Sequence, residues 1–350
     1  MAVSRDFWRG RRVLLTGHTG FKGAWAARWL QRMGAEVHGF ALVPDSAPSL
    51  HALLRTPLAG ETIADLRDAA AVEKALTAAR PEIVLHLAAQ ALVPASYRDP
   101  FGTWTSNLMG TINLLEAMRR HGAPLTAVLV TTDKVYANSE SGMAFTEDAA
   151  LGGDDPYSAS KAAMEIAVHS WRKSFLSARH RIVTARGGNV IGGGDWSAER
   201  LIPDIVRATQ GQQAVVLRRP EATRPWQHVL DLVQGYLLYA QALHEARADL
   251  PASLNFGPLD DQRITVGAIA TQFTQAFGAP AWRHEPQPGM PEKGVLALDA
   301  RRAVAALDWR PGFATQAALE ATVAWYRDWL AGGDAAALTD GQIADFEGRV

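Results

Sequence analysis

Short apolar runs alternate with longer amphipathic stretches along most of the chain. The runs lie at Arg12–Leu15, Glu36–Phe40, Glu61–Ala64, Glu82–His86, Val128–Val130, Arg181–Ala185 and Ser253–Phe256. Each is three to five residues long and rich in strand-forming side chains, as expected of strands covered on both faces. Between them, apolar positions recur at helical spacing over Gly23–Met33, Asp68–Ala79, Phe101–His121, Pro156–Leu176, Leu201–Thr209 and Leu230–Leu243. This alternation predicts an α/β fold with one doubly wound parallel sheet. The sheet half is expected over 1–186, with 225–257 returning to it. Residues 187–224 and 258–350 read as a smaller C-terminal lobe, with a strand at Val215–Leu217, Trp282, Pro286, Pro288 and Pro291, and two late helices.

The first crossover carries the clearest chemistry. Gly17, Gly20 and Gly23 recur every third residue between a strand and a helix, within Thr16-Gly-His-Thr-Gly-Phe-Lys-Gly23. Such a turn is tight, lets the backbone approach a diphosphate, and seats it at a helix N-terminus. The spacing points to a dinucleotide held by Gly17, Thr19, Gly20, Phe21, Lys22 and Gly23. Asp65 and Leu66 at one strand exit, Leu87-Ala88-Ala89-Gln90 at another, and Asn107 on the following helix are further candidate cofactor contacts, as are Tyr157 and Lys161. The second strand ends near Asp45, its nearest carboxylate, and no Arg follows that would greet a ribose phosphate. NAD is therefore favoured over NADP.

The strand Val128–Val130 runs out into Thr132, Asp133 and Lys134, a hydroxyl, an acid and a base at the carboxyl end where such sheets bind ligands. Two elements later, Tyr157 and Lys161 stand four apart and share a helical face. A cation one turn from a phenol favours phenolate, so this pair suits proton removal from a hydroxyl while hydride leaves the same carbon. Alone, the pair would be read as a half-buried Tyr and a solvated Lys; behind a dinucleotide-type turn, the catalytic reading prevails. Asn189 lies in a long glycine-rich segment, Arg186–Trp196, of the kind that is often functional. Arg200 and Arg224 are candidate phosphate clamps, because guanidinium forks match phosphate oxygens. His228 joins the candidate substrate contacts, although a buried structural histidine is the commoner case.

Composition narrows the classes. The 350 residues hold 35 Lys plus Arg against 36 Asp plus Glu, a net charge of −1. That balance carries no footprint for nucleic acid or an anionic membrane. There are no cysteines, so thiolate chemistry and Cys-ligated metals are excluded. No His/Asp/Glu spacing suggests a metal site. No stretch reaches the ~20 apolar residues of a membrane span, and a cytoplasmic protein is expected.

Together the blocks at Thr16–Gly23, Leu87–Ala89, Thr131–Tyr136, Tyr157/Lys161, Gly188–Trp196, Arg200–Asp204 and Arg224–Val229 resemble the extended short-chain dehydrogenase/reductases, the nucleotide-sugar enzymes with a Rossmann fold. The finer likeness is to the 4,6-dehydratases of the CDP-glucose branch. It covers roughly Phe7 to Phe346. The resemblance implies NAD as cofactor and CDP-glucose as substrate. Thr132, Tyr157 and Lys161 would take the oxidation roles and Asp133 that of acid for water loss. Asn189 would contact the sugar or its diphosphate, and Arg224 the phosphates. Dehydratases of the dTDP branch carry Glu where Lys134 stands; Lys there is usual in the CDP branch. Lys134 would serve as the base at C5 or stabilise the enolate. A His-containing segment is expected where Pro291-Glu292-Lys293 stands. The superfamily often pairs subunits through the helices at Phe101–His121 and Tyr157–Leu176, so a homodimer or higher homo-oligomer is expected. The rival readings are a 4-epimerase or decarboxylase, which the Asp133–Lys134 pair disfavours, and a non-catalytic NAD-binding sensor, which would not need Tyr157 and Lys161.

Overall fold

Seven parallel strands form the central sheet of the computed structural model, which describes residues 2–138, 142–176, 180–260, 264–285 and 296–350. They are β1 (Arg12–Thr16), β2 (Glu36–Ala41), β3 (Gly60–Ile63), β4 (Ile83–His86), β5 (Leu125–Val130), β6 (His180–Gly187) and β7 (Ser253–Phe256). Their order across the sheet is β7-β6-β5-β4-β1-β2-β3. The order reverses between β1 and β4, which places the ligand crevice of a doubly wound sheet above their carboxyl ends. The edge strand begins one residue earlier than its apolar run suggests.

Both faces are covered. One core joins Val13, Leu15, Val128, Val130, Val183 and Ala185; the other joins Leu14, Val84, Ala127, Leu129 and Ile182. Alternate residues of each strand thus enter opposite cores, which is why these strands read as unbroken apolar runs. The principal helices are α1 (Phe21–Arg32), α2 (Ala69–Ala79), α3 (Gly110–Arg120), α4 (Pro156–Ser174), α5 (Leu201–Gln210), α6 (Val229–His244), α7 (Thr315–Leu330) and α8 (Ala335–Glu347). Asp68 caps α2 by accepting from the amides of Ala70 and Ala71, and Asp155 caps α4 by accepting from that of Ser158.

Three features add to the sequence reading. The helix expected over Phe101–His121 runs without a break from Pro100 to Arg120, widening into a π-turn at Thr105–Met109 before α3. The short helices Leu50–Leu54 and Val93–Arg98 carry too few residues for a periodic signal. The two late helices pack back on α1. Arg28 of α1 pairs with Asp340 of α8, Trp29 donates to Glu347 at 2.8 Å, and Trp25, Trp29, Trp325 and Phe346 share one core. Residues 286–295, which include Pro286, Pro288 and Pro291-Glu292-Lys293, lie outside the described residues. Among the described residues, no helix is long and apolar enough to cross a membrane.

Candidate active site

The β1–α1 turn is built too tightly for any side chain at two of its glycines. A Cβ on Gly23 would fall 2.0 Å from the carbonyl oxygen of Gly17, and one on Gly17 would fall 2.7 Å from the amide of Ala88. Gly17 also has φ +78°, which favours glycine. Gly20 stands at the N-cap of α1 with no side chain capping the helix, so the first amides are left for a ligand. Thr19 ties the turn to the end of β2 by donating to the carbonyl of Leu42 at 2.9 Å. These features fit the diphosphate of a dinucleotide. Asp45 is exposed, four residues beyond β2. Asp65 accepts from the backbone and side chain of Arg67, and Leu66 is buried beneath Gly110.

The floor continues along β4. The amides of Leu87 and Ala88 donate to the carbonyl and hydroxyl of Thr16. The Gln90 amide donates to Asn107 Oδ1 at 2.8 Å, and Asn107 Nδ2 donates to the Gln90 carbonyl and to Ser160 Oγ. The π-turn therefore sets Asn107 as a rivet between the β4 exit, which continues through Ala89, and the start of α4. Hydrophobic periodicity had no means of showing that wider turn, although π-turns recur at functional sites.

The sequence-derived cluster meets at the carboxyl end of β5. Thr132, Asp133, Tyr157 and Lys161 are all buried, and Lys134 is half-buried. Thr132 caps a short 3-10 turn that carries Asp133 and Lys134. Asp133 Oδ1 accepts from the Thr132 hydroxyl and from Lys134 Nζ, both at 2.9 Å. Its second oxygen is buried and has no partner among the described residues. Lys134 also donates to Asn189 Oδ1 at 3.3 Å, which brings the glycine-rich segment into the cluster.

Burial pushes the Tyr157 phenol up, opposed by the Lys134 charge and a hydrogen bond with Thr132. Lys161 stands one helical turn from Tyr157 on α4. Its ammonium donates to the carbonyl of Val130 at 2.9 Å, and burial lowers its pKa to about 7. Among the charges acting on the phenol, that of Lys134 has the largest effect.

Behind the cluster lies a network that the sequence reading missed. Glu165 of α4 accepts from Thr131 at 2.5 Å, from Thr184 at 2.7 Å and from two nitrogens of Arg186. Arg186 also donates to the hydroxyl of Tyr136, which donates to Asn255 of β7. The network clamps the ends of β5, β6 and β7 to α4. Its only sequence signal was charged residues inside otherwise apolar stretches.

On the other side, Arg200 pairs with Asp195 at 3.1 Å. Arg224 donates to the carbonyl of Thr223, and the adjacent Pro225 packs near Gly188, beside Asp133. His228 does not reach the cleft. It is fully buried between Trp25 and Phe313, accepts from the Leu230 amide as the cap of α6, and burial lowers its pKa to about 3. A side chain so enclosed is a structural cap, which corrects its assignment to the substrate. His18, His51 and Glu61 also converge, with His18 Nε2 2.8 Å and His51 Nε2 3.4 Å from Glu61 Oε1. Residues so distant in sequence carry no recognisable ligand spacing. Here they tie the glycine turn to β3, with the His18 ring lying where Gly39 lacks a side chain.

Sheet order, glycine turn and the Tyr/Lys pair together define a dinucleotide-dependent enzyme of the extended short-chain dehydrogenase/reductase type. The chain belongs to the NAD dependent epimerase/dehydratase family, whose model matches residues 13–254, and NAD is its cofactor. It is 38% identical to the CDP-glucose 4,6-dehydratase of Salmonella typhimurium, over 98% of each chain. Among solved structures, an epimerase of Methanothermobacter thermautotrophicus superposes with a TM-score of 0.81 at 23% identity, covering 93% of this chain and 96% of that one. A dTDP-glucose 4,6-dehydratase of Streptomyces venezuelae, solved with NAD bound, superposes with a TM-score of 0.77 at 24% identity, covering 91% and 97%. The last two likenesses bear on the fold alone.

Proposed function

We propose that the chain is a nucleotide-sugar 4,6-dehydratase that converts CDP-glucose to CDP-4-keto-6-deoxyglucose and water. The observation that carries this reading is Asp133, a buried carboxyl with one oxygen held by Thr132 and Lys134 and the other unpaired, beside the oxidation pair. An epimerase needs only the oxidation pair; an elimination needs an acid as well. Bound in the glycine turn, NAD would supply a hydride acceptor for C4 and a hydride donor for C6. Tyr157 removes the C4 hydroxyl proton, with Thr132 holding that hydroxyl in line. The new ketone acidifies the C5 proton, which passes to solvent water while Lys134 donates to the enolate oxygen. Asp133 gives its proton to the departing C6 hydroxyl, which leaves as water. A proton then returns to C5 as hydride reaches C6, so the net change is loss of one water. Lys134 serves as enolate donor in this reading because its Nζ already donates to two oxygens, those of Asp133 and Asn189.

The CDP preference is supported by the full-length relative and by Lys134 itself. Residues 187–224 and 258–350 are read as the nucleotide-sugar side, with Asn189, Arg200 and Arg224 facing the sugar and its diphosphate. The chain is read as a homodimer or higher homo-oligomer, because Phe101, Met109 and Ile166 expose apolar surface on the helices flanking the site. A cysteine-free chain of near-neutral charge fits a cytoplasmic working place. A panel of CDP-, dTDP-, GDP- and UDP-glucose, assayed for 4-keto-6-deoxy product, tests the substrate. Turnover confined to CDP-glucose is expected; preferred turnover of another nucleotide would remove the CDP assignment.

A further inference from the structure

Lys22 is the second residue of α1, within the glycine turn. It lies within electrostatic reach of Asp133, Lys134, Asp195 and Arg200, and it acts in turn on Lys161. The segment that carries Asp195 sits directly on this end of α1. Trp25 donates to the carbonyl of Gly193 at 3.0 Å, and a Cβ on Gly192 would lie 3.2 Å from the ring of Phe21. The turn and the glycine-rich segment therefore share one wall of the cleft.

The charges along this wall do not balance. Lys134 is paired with Asp133 at 2.9 Å and Arg200 with Asp195 at 3.1 Å. Lys161 is held by the Val130 carbonyl. Lys22 makes no hydrogen bond or ion pair among the described residues. Each nearby carboxylate already pairs with another cation, with one Asp133 oxygen left over, so cations outnumber carboxylates here and Lys22 is the surplus one. Removing a cation from water without a partner is costly. Burial and the neighbouring cations lower its pKa to about 8. A ligand anion placed here would repay that cost, and phosphate oxygens are the anions that both ligands of this enzyme carry.

We infer that Lys22, although part of the cofactor turn, binds the diphosphate of the sugar nucleotide together with Arg200. The turn would then report substrate occupancy directly to the cofactor's seat. This inference rests on the nucleotide-sugar reading given above and assigns Lys22 to the substrate rather than to the cofactor.

The test uses the full-length protein and two probes that undergo no reaction, CDP and NAD, titrated calorimetrically. In Lys22→Met, CDP affinity is expected to fall about tenfold or more while NAD affinity changes less than about threefold, as for loss of one charged hydrogen bond. Lys22→Arg should restore most of the CDP affinity. Wild-type CDP affinity should also decline as pH rises through about 8, where free Lys22 loses its proton. That decline should be absent in Lys22→Met. The groups facing Lys22 are Asp133, Lys134, Lys161, Asp195 and Arg200, and all remain in the variant. A loss confined to NAD would overturn the inference in favour of the cofactor diphosphate. Equal losses for both probes would make Lys22 a holder of the turn, and no loss for either would make it a bystander; both results overturn it. Should wild type bind UDP or dTDP but not CDP, the substrate reading fails separately, and the same comparison with that nucleotide still decides the role of Lys22.

Discussion

The ammonium of Lys161 donates to the main-chain carbonyl of Val130 at 2.9 Å, which locks the second turn of α4 to the last residue of β5. The contact is buried, and burial lowers the lysine pKa from 10.5 to about 7. In the unfolded chain Lys161 binds its proton up to pH 10.5; in the folded protein it releases it near pH 7. Between these values the unfolded state holds more protons, so this residue makes stability rise with pH. Below about 7 both states are protonated, and the cost of the buried charge is present in full. Chemical denaturation of wild type and Lys161→Met across this window is expected to show the wild type gaining a few kcal/mol relative to the variant, on the order set by such a shift. Parallel curves would mean that Lys161 is not buried as described.

Tyr157 is expected to be indispensable to turnover while leaving the cofactor seat intact. Its phenol touches Thr132, whereas the glycine turn and the Asn107 rivet are built without it. Tyr157→Phe should lower kcat by about 10²- to 10⁴-fold, the range for a lost acid–base group, with little change in NAD affinity. Near-normal turnover would remove Tyr157 from the mechanism.

Asp133 should separate the two halves of the reaction. Asp133→Asn keeps a hydrogen-bonding group beside Thr132 and Lys134 but cannot deliver a proton to a leaving hydroxyl. Oxidation at C4 should proceed while water loss slows by about 10²-fold or more, so reduced cofactor should accumulate during turnover and be seen by its absorbance. Slow turnover without that accumulation would place Asp133 before the oxidation step instead.

Arg186 makes a prediction about stability rather than chemistry. It is buried, with two nitrogens on Glu165 and a third donor shared by Tyr136 and the Glu147 carbonyl. Arg186→Met would leave Glu165 as an unpaired buried charge at the ends of three strands. Such a break is expected to cost about 3–5 kcal/mol, read from urea unfolding. Glu165→Gln with Arg186→Met should recover part of the loss, since the uncompensated charge is then gone.

What the chain disclosed in sequence depended on the range of each interaction. Strands β1, β4 and β5 were legible because burial on both faces leaves an unbroken apolar run. The glycine turn was legible because its steric demands fall on residues three apart. The rivet at Asn107 was not, since a π-turn leaves the apolar spacing nearly unchanged. Lys161 was found, but not its hydrogen bond to Val130: spacing on a helix shows which face a side chain shares, not which strand carbonyl receives it. His228 sits in a segment rich in polar residues, and only packing against Trp25 and Phe313 reveals it as a cap. The late helices were legible, but their apolar faces showed no address; the tryptophans of α1 supply it.

The central claim is that one hydride leaves C4 and arrives at C6 within the same turnover. CDP-glucose deuterated at C4 tests it, with the product analysed by NMR. The deuterium is expected at C6 of a 4-keto-6-deoxy sugar, with solvent hydrogen at C5. Deuterium retained at C4 of a sugar that still carries its C6 hydroxyl would contradict the dehydratase reading.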